Sequence, residues 1–401
     1  MIAGFKEKLG FWSQSKIHLL KSKKNWIWIH AVSVGEINAA WPLILKIKDE
    51  KPNYPIMLSC TTKNGYNLAE GLIKRDCNGE IMLFYFPFDI PSIVKSFFNR
   101  ANIKLLILIE TEIWPFTIQE CSKRNIPIVI VNARLSDKSF NNYKTLKFYF
   151  KNIFSLITKV LAQSEEDSHK FKTIGTNSKS TVTLGNIKFS AVNNGAAQKE
   201  FPTINENKLD LNLIFASTHR GEEEIAIKTY KTLIDTFQYL RLVIAPRHIE
   251  RTNEVIEIVR KNNFIPILRT ESKKIQSNRE IFILNTIGEL ALYYKVCPIT
   301  VLGGTFSKIG GHNIIEPIKA GSYTIIGPYD YKIKELSRQF KEKEAIIQVK
   351  NIKELRDRIK EYIENKEILK QQIKNGLKVI EENKNVLEQT AREIYLLLQE
   401  N

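Results

Sequence analysis

Residues 26–36 read WIWIHAVSVGE, and this stretch decides the fold. Trp26 to His30 is an unbroken run of aromatic and β-branched residues, the pattern of a strand buried on both faces. The run stops at a short polar turn. From Ile37 onward the apolar residues Ala40, Leu43, Ile44 and Ile47 recur at helical spacing, with Pro42 expected to kink the helix. A buried strand, a tight turn and a helix make half of a βαβ unit, so a parallel sheet covered by helices is expected.

The same rhythm runs outward from there. Apolar strand-like runs follow from Ile56, Ile81, Lys104 and Ile126, and a second series starts at Asn212, Arg241, Phe264, Ile281, Ile299 and Tyr323. Between the two series lies a polar stretch, Val192 to Lys208. The expected fold class is α/β, with two Rossmann-like, doubly wound domains facing a central cleft. The expected division is 1–190 for the first domain, 191–208 for a linker and 209–375 for the second. The remaining 376–401 is a helical end broken off near Asn375-Gly376 that packs back on the first domain, or else a solvated helix. Ligands of such sheets bind beyond the carboxyl ends of the strands.

Composition narrows the function. The chain has 401 residues, 43% of them hydrophobic and 26% charged, which suits folded domains. Sixty Lys and Arg against 43 Asp and Glu leave a net charge of +17, favouring anionic partners such as phosphorylated substrates, lipid surfaces or nucleic acid. Cys60, Cys77, Cys121 and Cys297 are scattered, without metal-ligand or disulfide spacing. No apolar run is long enough to span a bilayer.

The residues at the strand ends carry the chemistry. Glu36 at a helix N-terminus is either a capping residue or a positioned general base. Glu110 emerges after six almost wholly apolar residues in ETEIWP, where a carboxylate is uncommon unless functional or paired, with Arg134 as one such partner. Pro246, Arg247 and His248 end a strand of the second half, where a guanidinium suits a phosphate or carboxylate. Ile287, Gly288 and Glu289 lead into a helix whose amides suit an anion or a ribose. The stretch GGTFSKIGGHNIIEPIKAG (303–321) brings glycines before a helix, with Asn313 as N-cap and Glu316 as capping partner or ribose ligand. It is neither a Walker A loop nor a GxGxxG fingerprint. His30 reads as a satisfied core histidine, and His312 as a loop hydrogen-bonder.

Nine segments in order resemble the Kdo (3-deoxy-D-manno-octulosonate) transferase family: HAVSVGE (from His30), ETEIWP (Glu110), NARLS (Asn132), AQSEED (Ala162), GNIKF (Gly185), STHRGEE (Ser217), PRHIER (Pro246), GEL (Gly288) and GGHNIIEP (Gly310). The resemblance implies the GT-B architecture and an inverting transfer of Kdo from CMP-Kdo to a lipid A precursor, without a metal or other cofactor. It matches Glu36 to the proton acceptor, and Glu110 and Lys188 to transition-state stabilisation. Pro246, Arg247, Ile287, Gly288, Glu289, Asn313, Ile314, Ile315 and Glu316 match CMP-binding positions. It also implies work at the cytoplasmic face of a Gram-negative inner membrane. Family members begin with an apolar anchor, whereas this chain opens on a basic stretch, so either an upstream anchor or interfacial docking is expected. The segment from Lys138 to Phe154 (KSFNNYKTLKFYFKNIF) suits an anionic membrane surface, or a helix with its aromatics in the core. The competing functions are another two-domain enzyme such as a nucleotide-sugar epimerase, and a basic nucleic-acid-binding protein, for which no recognised module is present.

Overall fold

The computed structural model describes residues 4–191, 211–271 and 274–399. The linker expected around 191–208 therefore lies almost wholly outside the described residues. Contacts divide the chain into two compact units, one of Met1–Ala191 with Asn383–Asn401 and one of Val192–Glu382.

The first unit is built on seven parallel strands: β1 (Trp26–His30), β2 (Ile56–Cys60), β3 (Met82–Tyr85), β4 (Ile103–Ile109), β5 (Ile128–Ala133), β6 (Lys159–Ala162) and β7 (Thr181–Thr183). Their order is β3-β2-β1-β4-β5-β6-β7. The two faces of β1 go to different layers because side chains alternate along a strand. Ile27 and Ile29 pack with Ile37, Ile44, Ile107 and Val129, whereas Trp26 and Trp28 pack with Phe84, Phe97 and Leu106. That double burial is why the run shows no polar alternation. Chain order reverses between β1 and β4, so their carboxyl ends flank the switch point where such sheets hold ligands.

The second unit repeats the plan with β8 (Leu211–Thr218), β9 (Leu240–Pro246), β10 (Ile265–Leu268), β11 (Glu280–Ile283), β12 (Ile299–Leu302), β13 (Tyr323–Ile326) and β14 (Ile346–Gln348). The order is β10-β11-β9-β8-β12-β13-β14, again all parallel, and the switch point falls between β8 and β12. Leu213 and Phe215 face one apolar layer, Ile214 and Ala216 the other.

One expectation about the helices needs correction. The helix holding Asn375 and Gly376 runs unbroken over Lys366–Glu382. Gly376 marks a close approach instead, because a Cβ there would meet Ile318 Cγ2 at 2.7 Å. The change of unit falls seven residues later than read, at Asn383. From there the Val386–Gln399 helix buries Val386, Ala391, Ile394, Leu397 and Leu398 against Ile37, Ala40, Ile44 and Ile187 of the first unit. Pro42 lies inside the helix over Val34–Glu50, which continues past it. Among the described residues, no helix is long and apolar enough to cross a membrane.

Candidate active site

In the first unit, Ser33 caps the Val34–Glu50 helix, and Glu36 stands three residues on, the S-x-x-E spacing of a capping box. Ser33 Oγ donates to Glu36 Oε1 at 2.8 Å, and the Val32 N–H donates to Oε2 at 2.7 Å. The side chain thus does cap, and it is also held in one orientation. Glu36 is only 8% exposed. Burial raises its carboxyl to about 7; the Val32 bond opposes this and nearby Glu110 adds to it. A carboxyl that changes charge near neutrality is placed to take up a proton.

Glu110, just past β4, sits at φ 62°, a left-handed conformation a non-glycine residue rarely keeps. Two contacts hold it there. Its N–H donates to Val131 O at 2.9 Å, and Lys188 Nζ donates to its Oε1 at 2.6 Å. Lys188 is delivered by the helical turn Ile187–Ala191, which is pinned from β5: Asn132, at φ 58° in a bulge, accepts the Ile187 N–H on Oδ1 at 3.0 Å. Asn186 Oδ1 accepts from Lys188 N–H at 3.0 Å, and Asn383 Oδ1 accepts from Asn186 N–H at 3.1 Å. Glu112 completes the acidic group, its carboxyl raised to about 8 by burial and then by Glu36 and Glu110.

His30 is fully buried, with Nδ1 2.9 Å from Ser59 Oγ and Nε2 without a partner among the described residues. Burial lowers it to about 3, so it stays neutral, partly rather than fully satisfied.

In the second unit the residues gather past β8, β9, β11 and β12. Arg247 follows β9 and is exposed, its N–H donating to Thr218 O at 3.0 Å. Ile287 is 81% exposed, Gly288 has φ 83°, and Glu289 accepts from Arg269 Nη2 at 3.1 Å and from Thr286 Oγ1 at 2.5 Å. The helix after them is Leu290–Tyr294, with Glu289 at its cap. Asn313 is displaced from its expected place: Ile314 is the cap of the Ile315–Lys319 helix. Asn313 Oδ1 still accepts the Ile315 N–H at 3.0 Å, and its Nδ2 donates to Glu316 Oε1 at 2.8 Å. Burial raises the Glu316 carboxyl, opposed by Asn313 and Arg247.

Two further residues join this group that strand-end reading left without a role. Glu222 is 2% exposed and accepts the N–H groups of His219, Gly304, Phe306 and Ser307 at 2.8–3.0 Å, tying the loop after β8 to the glycine-rich loop after β12. His219 Nε2 lies 2.7 Å from His312 Nε2. The loops come this close because Gly303 has no side chain: a Cβ there would meet Ser217 O at 2.2 Å. The S-x-x-E signal at Ser33 was legible in the sequence. The Glu222 partners Gly304, Phe306 and Ser307, some eighty residues further along the chain, left none.

Two tandem parallel sheets, each with charged groups at its switch point, make the GT-B fold, which nucleotide-sugar glycosyltransferases and epimerases share. The solved UDP-GlcNAc 2-epimerase of Neisseria meningitidis shares this fold, with a TM-score of 0.58 at 12% identity, covering 94% of this chain and all of its own. A family profile described as 3-Deoxy-D-manno-octulosonic-acid transferase (kdotransferase) matches residues 3–191. The 3-deoxy-D-manno-octulosonic acid transferase of Haemophilus influenzae is 31% identical over 352 residues, 87% of this chain and 82% of its own length. That of Aquifex aeolicus is 30% identical over 356 residues, 88% and 90% of the two chains. The chain belongs to the 3-deoxy-D-manno-octulosonic acid (Kdo) transferase family.

Proposed function

We propose that the donor is CMP-Kdo, the acceptor a lipid A precursor (lipid IVA), and Glu36 the general base of an inverting displacement. The acceptor hydroxyl oxygen attacks the anomeric carbon of Kdo while Glu36 takes its proton. The bond from that carbon to the phosphate oxygen breaks, and its electron pair leaves with CMP. The Glu36 carboxyl carries this reading: it is buried, held by two hydrogen bonds and poised near neutrality. Lys188, fixed by Glu110, supplies positive charge for the negative charge that develops, a kind of stabilisation whose loss costs about 3–4 kcal/mol of barrier. Pro246, Arg247, the Ile287-Gly288-Glu289 turn and Asn313 to Glu316 bind the nucleotide, with Arg247 suited to its phosphate.

Peripheral binding to the cytoplasmic face of the inner membrane is part of the same proposal. The net charge of +17 favours anionic lipid. The first unit also exposes Phe5, Phe11, Ile90, Phe116, Leu146 and Phe148, the last at 97%. Within the segment from Lys138 to Phe154, Ile153 and Phe154 are core residues, whereas Phe148 and Tyr149 face solvent near Lys144 and Lys151 in the chain, an exposure that supports docking on an anionic surface.

The test is incubation with CMP-Kdo and a tetraacylated lipid A precursor, with products read by mass spectrometry. A product heavier by Kdo is expected, with no turnover of UDP sugars. Turnover of UDP-GlcNAc with none of CMP-Kdo would replace this reading with that of an epimerase-like enzyme.

A further inference from the structure

The least ordinary contact in the second unit is the one between His219 and His312. Their Nε2 atoms lie 2.7 Å apart, and their rings are parallel within 9° with centroids 5.0 Å apart. Two N–H groups cannot face each other at that distance, so the pair holds one hydrogen between the nitrogens, and one ring is the tautomer with its proton on Nδ1. The two rings come from opposite sides of the switch point, His219 following β8 and His312 following β12. Glu222 fixes both loops through the His219 and Gly304 N–H groups. Gly304 itself makes room for the ring, since a Cβ there would lie 3.1 Å from His312 Cδ2.

The surroundings favour the singly protonated pair. The charged and titratable groups acting on the two rings are His248, Arg247, Arg251, Lys332 and Glu222. Of these only Glu222 is an anion, and its carboxylate is already engaged by four backbone N–H groups. Burial, then His219, Arg247, Lys332 and His248, lower His312 to about 4; burial likewise lowers His219. Arg251 is paired with Glu223 and Glu254, and Glu316 lies within electrostatic reach of Arg247. Arg247 and Lys332 thus bring positive charge to the rings at a switch point, the place where such sheets hold ligands.

We propose that His219, His312 and Arg247 form one seat for an oxyanion of the donor, nucleotide phosphate or sugar carboxylate, and that the histidine pair takes up a proton from solvent when that anion binds. The added proton turns the pair into two N–H donors, so the rings separate and both bond the ligand. The inference rests on the donor reading above and extends it. It also gives the site a response to the reaction. When the anomeric C–O bond breaks, its electron pair stays on the phosphate oxygen and the phosphodiester monoanion becomes a monoester dianion. A seat that gains a proton as its guest gains charge favours that change, while the acceptor hydrogen goes separately to Glu36.

Proton uptake is measurable by titration calorimetry of the full chain in buffers of different ionisation enthalpy. At pH 7.5 free CMP is nearly all dianion, its second pKa being about 6. CMP binding to the unaltered protein is expected to take up close to one proton. In His219→Gln and His312→Asn that uptake is expected to vanish, with CMP affinity at least several-fold weaker. Cytidine, which lacks the phosphate, is expected to bind without uptake. Uptake with free Kdo but not with CMP would support the seat and assign it to the sugar carboxylate. CMP and Kdo both binding the unaltered protein without uptake would overturn the inference alone, whatever the variants do; so would uptake that persists in both variants. Failure of CMP to bind the folded protein at all would reject the donor reading beneath it.

Discussion

At the scale of the residue, three non-glycine residues at the carboxyl ends of strands hold positive φ: Glu110 (62°) just past β4, Asn132 (58°) near the end of β5 and Ser217 (58°) near the end of β8. Each such conformation costs about 1–2 kcal/mol, and strain of this kind collects at functional sites. The raised Glu36 carboxyl has a direct consequence for rate. A base must be unprotonated to act, so kcat/KM is expected to climb as pH rises through about 7. Glu36→Gln is expected to lose that ascending limb together with a roughly 10²–10⁴-fold share of turnover, at unchanged CMP affinity by calorimetry. Near-normal turnover in this variant would remove Glu36 from the role. The same shift fixes a sign for stability. The folded carboxyl, at about 7, lies above its ordinary value of 4.5. Its contribution is therefore complete below pH 4.5 and lost as pH rises through 7. The melting temperature of Glu36→Gln relative to the unaltered protein should accordingly improve between pH 5 and pH 8. Glu36, Glu110, Arg247 and Asn313 were visible in the sequence because each ends an apolar run or opens a helix. Glu222 and His219 were not given roles, since their partners are backbone amides and a ring contributed by a loop distant in the chain.

At the scale of the element, the long central strands were plain, whereas three of the short ones were not. β1 and β9 are buried along their length and β4 everywhere but at Lys104, and burial on both faces demands apolar runs. β6 (KVLA), β7 (TVT) and β14 (IIQ) have three or four residues each, and β7 and β14 each form one edge of their sheet, where one side is released from that demand. Gly376 was misread for a related reason, since glycine punctuates loops and also permits contact between helices. The two meanings separate by experiment. In an open helix Gly→Ala stabilises by about 0.5–1 kcal/mol. Here the new methyl would meet Ile318 Cγ2 at 2.7 Å, and overpacking costs about 1–3 kcal/mol. Gly376→Ala is therefore expected to lower the urea midpoint followed by circular dichroism; a raised midpoint would restore the reading of a loose helical end.

At the scale of the whole molecule, the first unit is made from two distant pieces of chain. All five tryptophans, Trp12, Trp26, Trp28, Trp41 and Trp114, lie in that unit, so indole fluorescence reports on it alone. Ending the chain after Glu382 removes the buried side chains of Val386, Ala391, Ile394, Leu397 and Leu398. Each large apolar side chain so buried contributes about 1.5–3 kcal/mol, and a domain's whole stability is about 5–15 kcal/mol. The truncated chain is expected to show red-shifted tryptophan emission and a fluorescence transition lowered well below that of the full chain, while calorimetric CMP binding survives. An unchanged fluorescence transition would show that the helix adds little.

The returning Val386–Gln399 helix also fixes an order of events on the ribosome. Translation delivers the last piece of the first unit only after every residue of the second. At about 5–20 residues per second, the roughly 190 residues in between take about 10–40 s to make. Throughout that interval the nascent polypeptide carries an uncovered groove around Ile37, Ala40, Ile44 and Ile187, a landing place for a chaperone until the closing segment emerges.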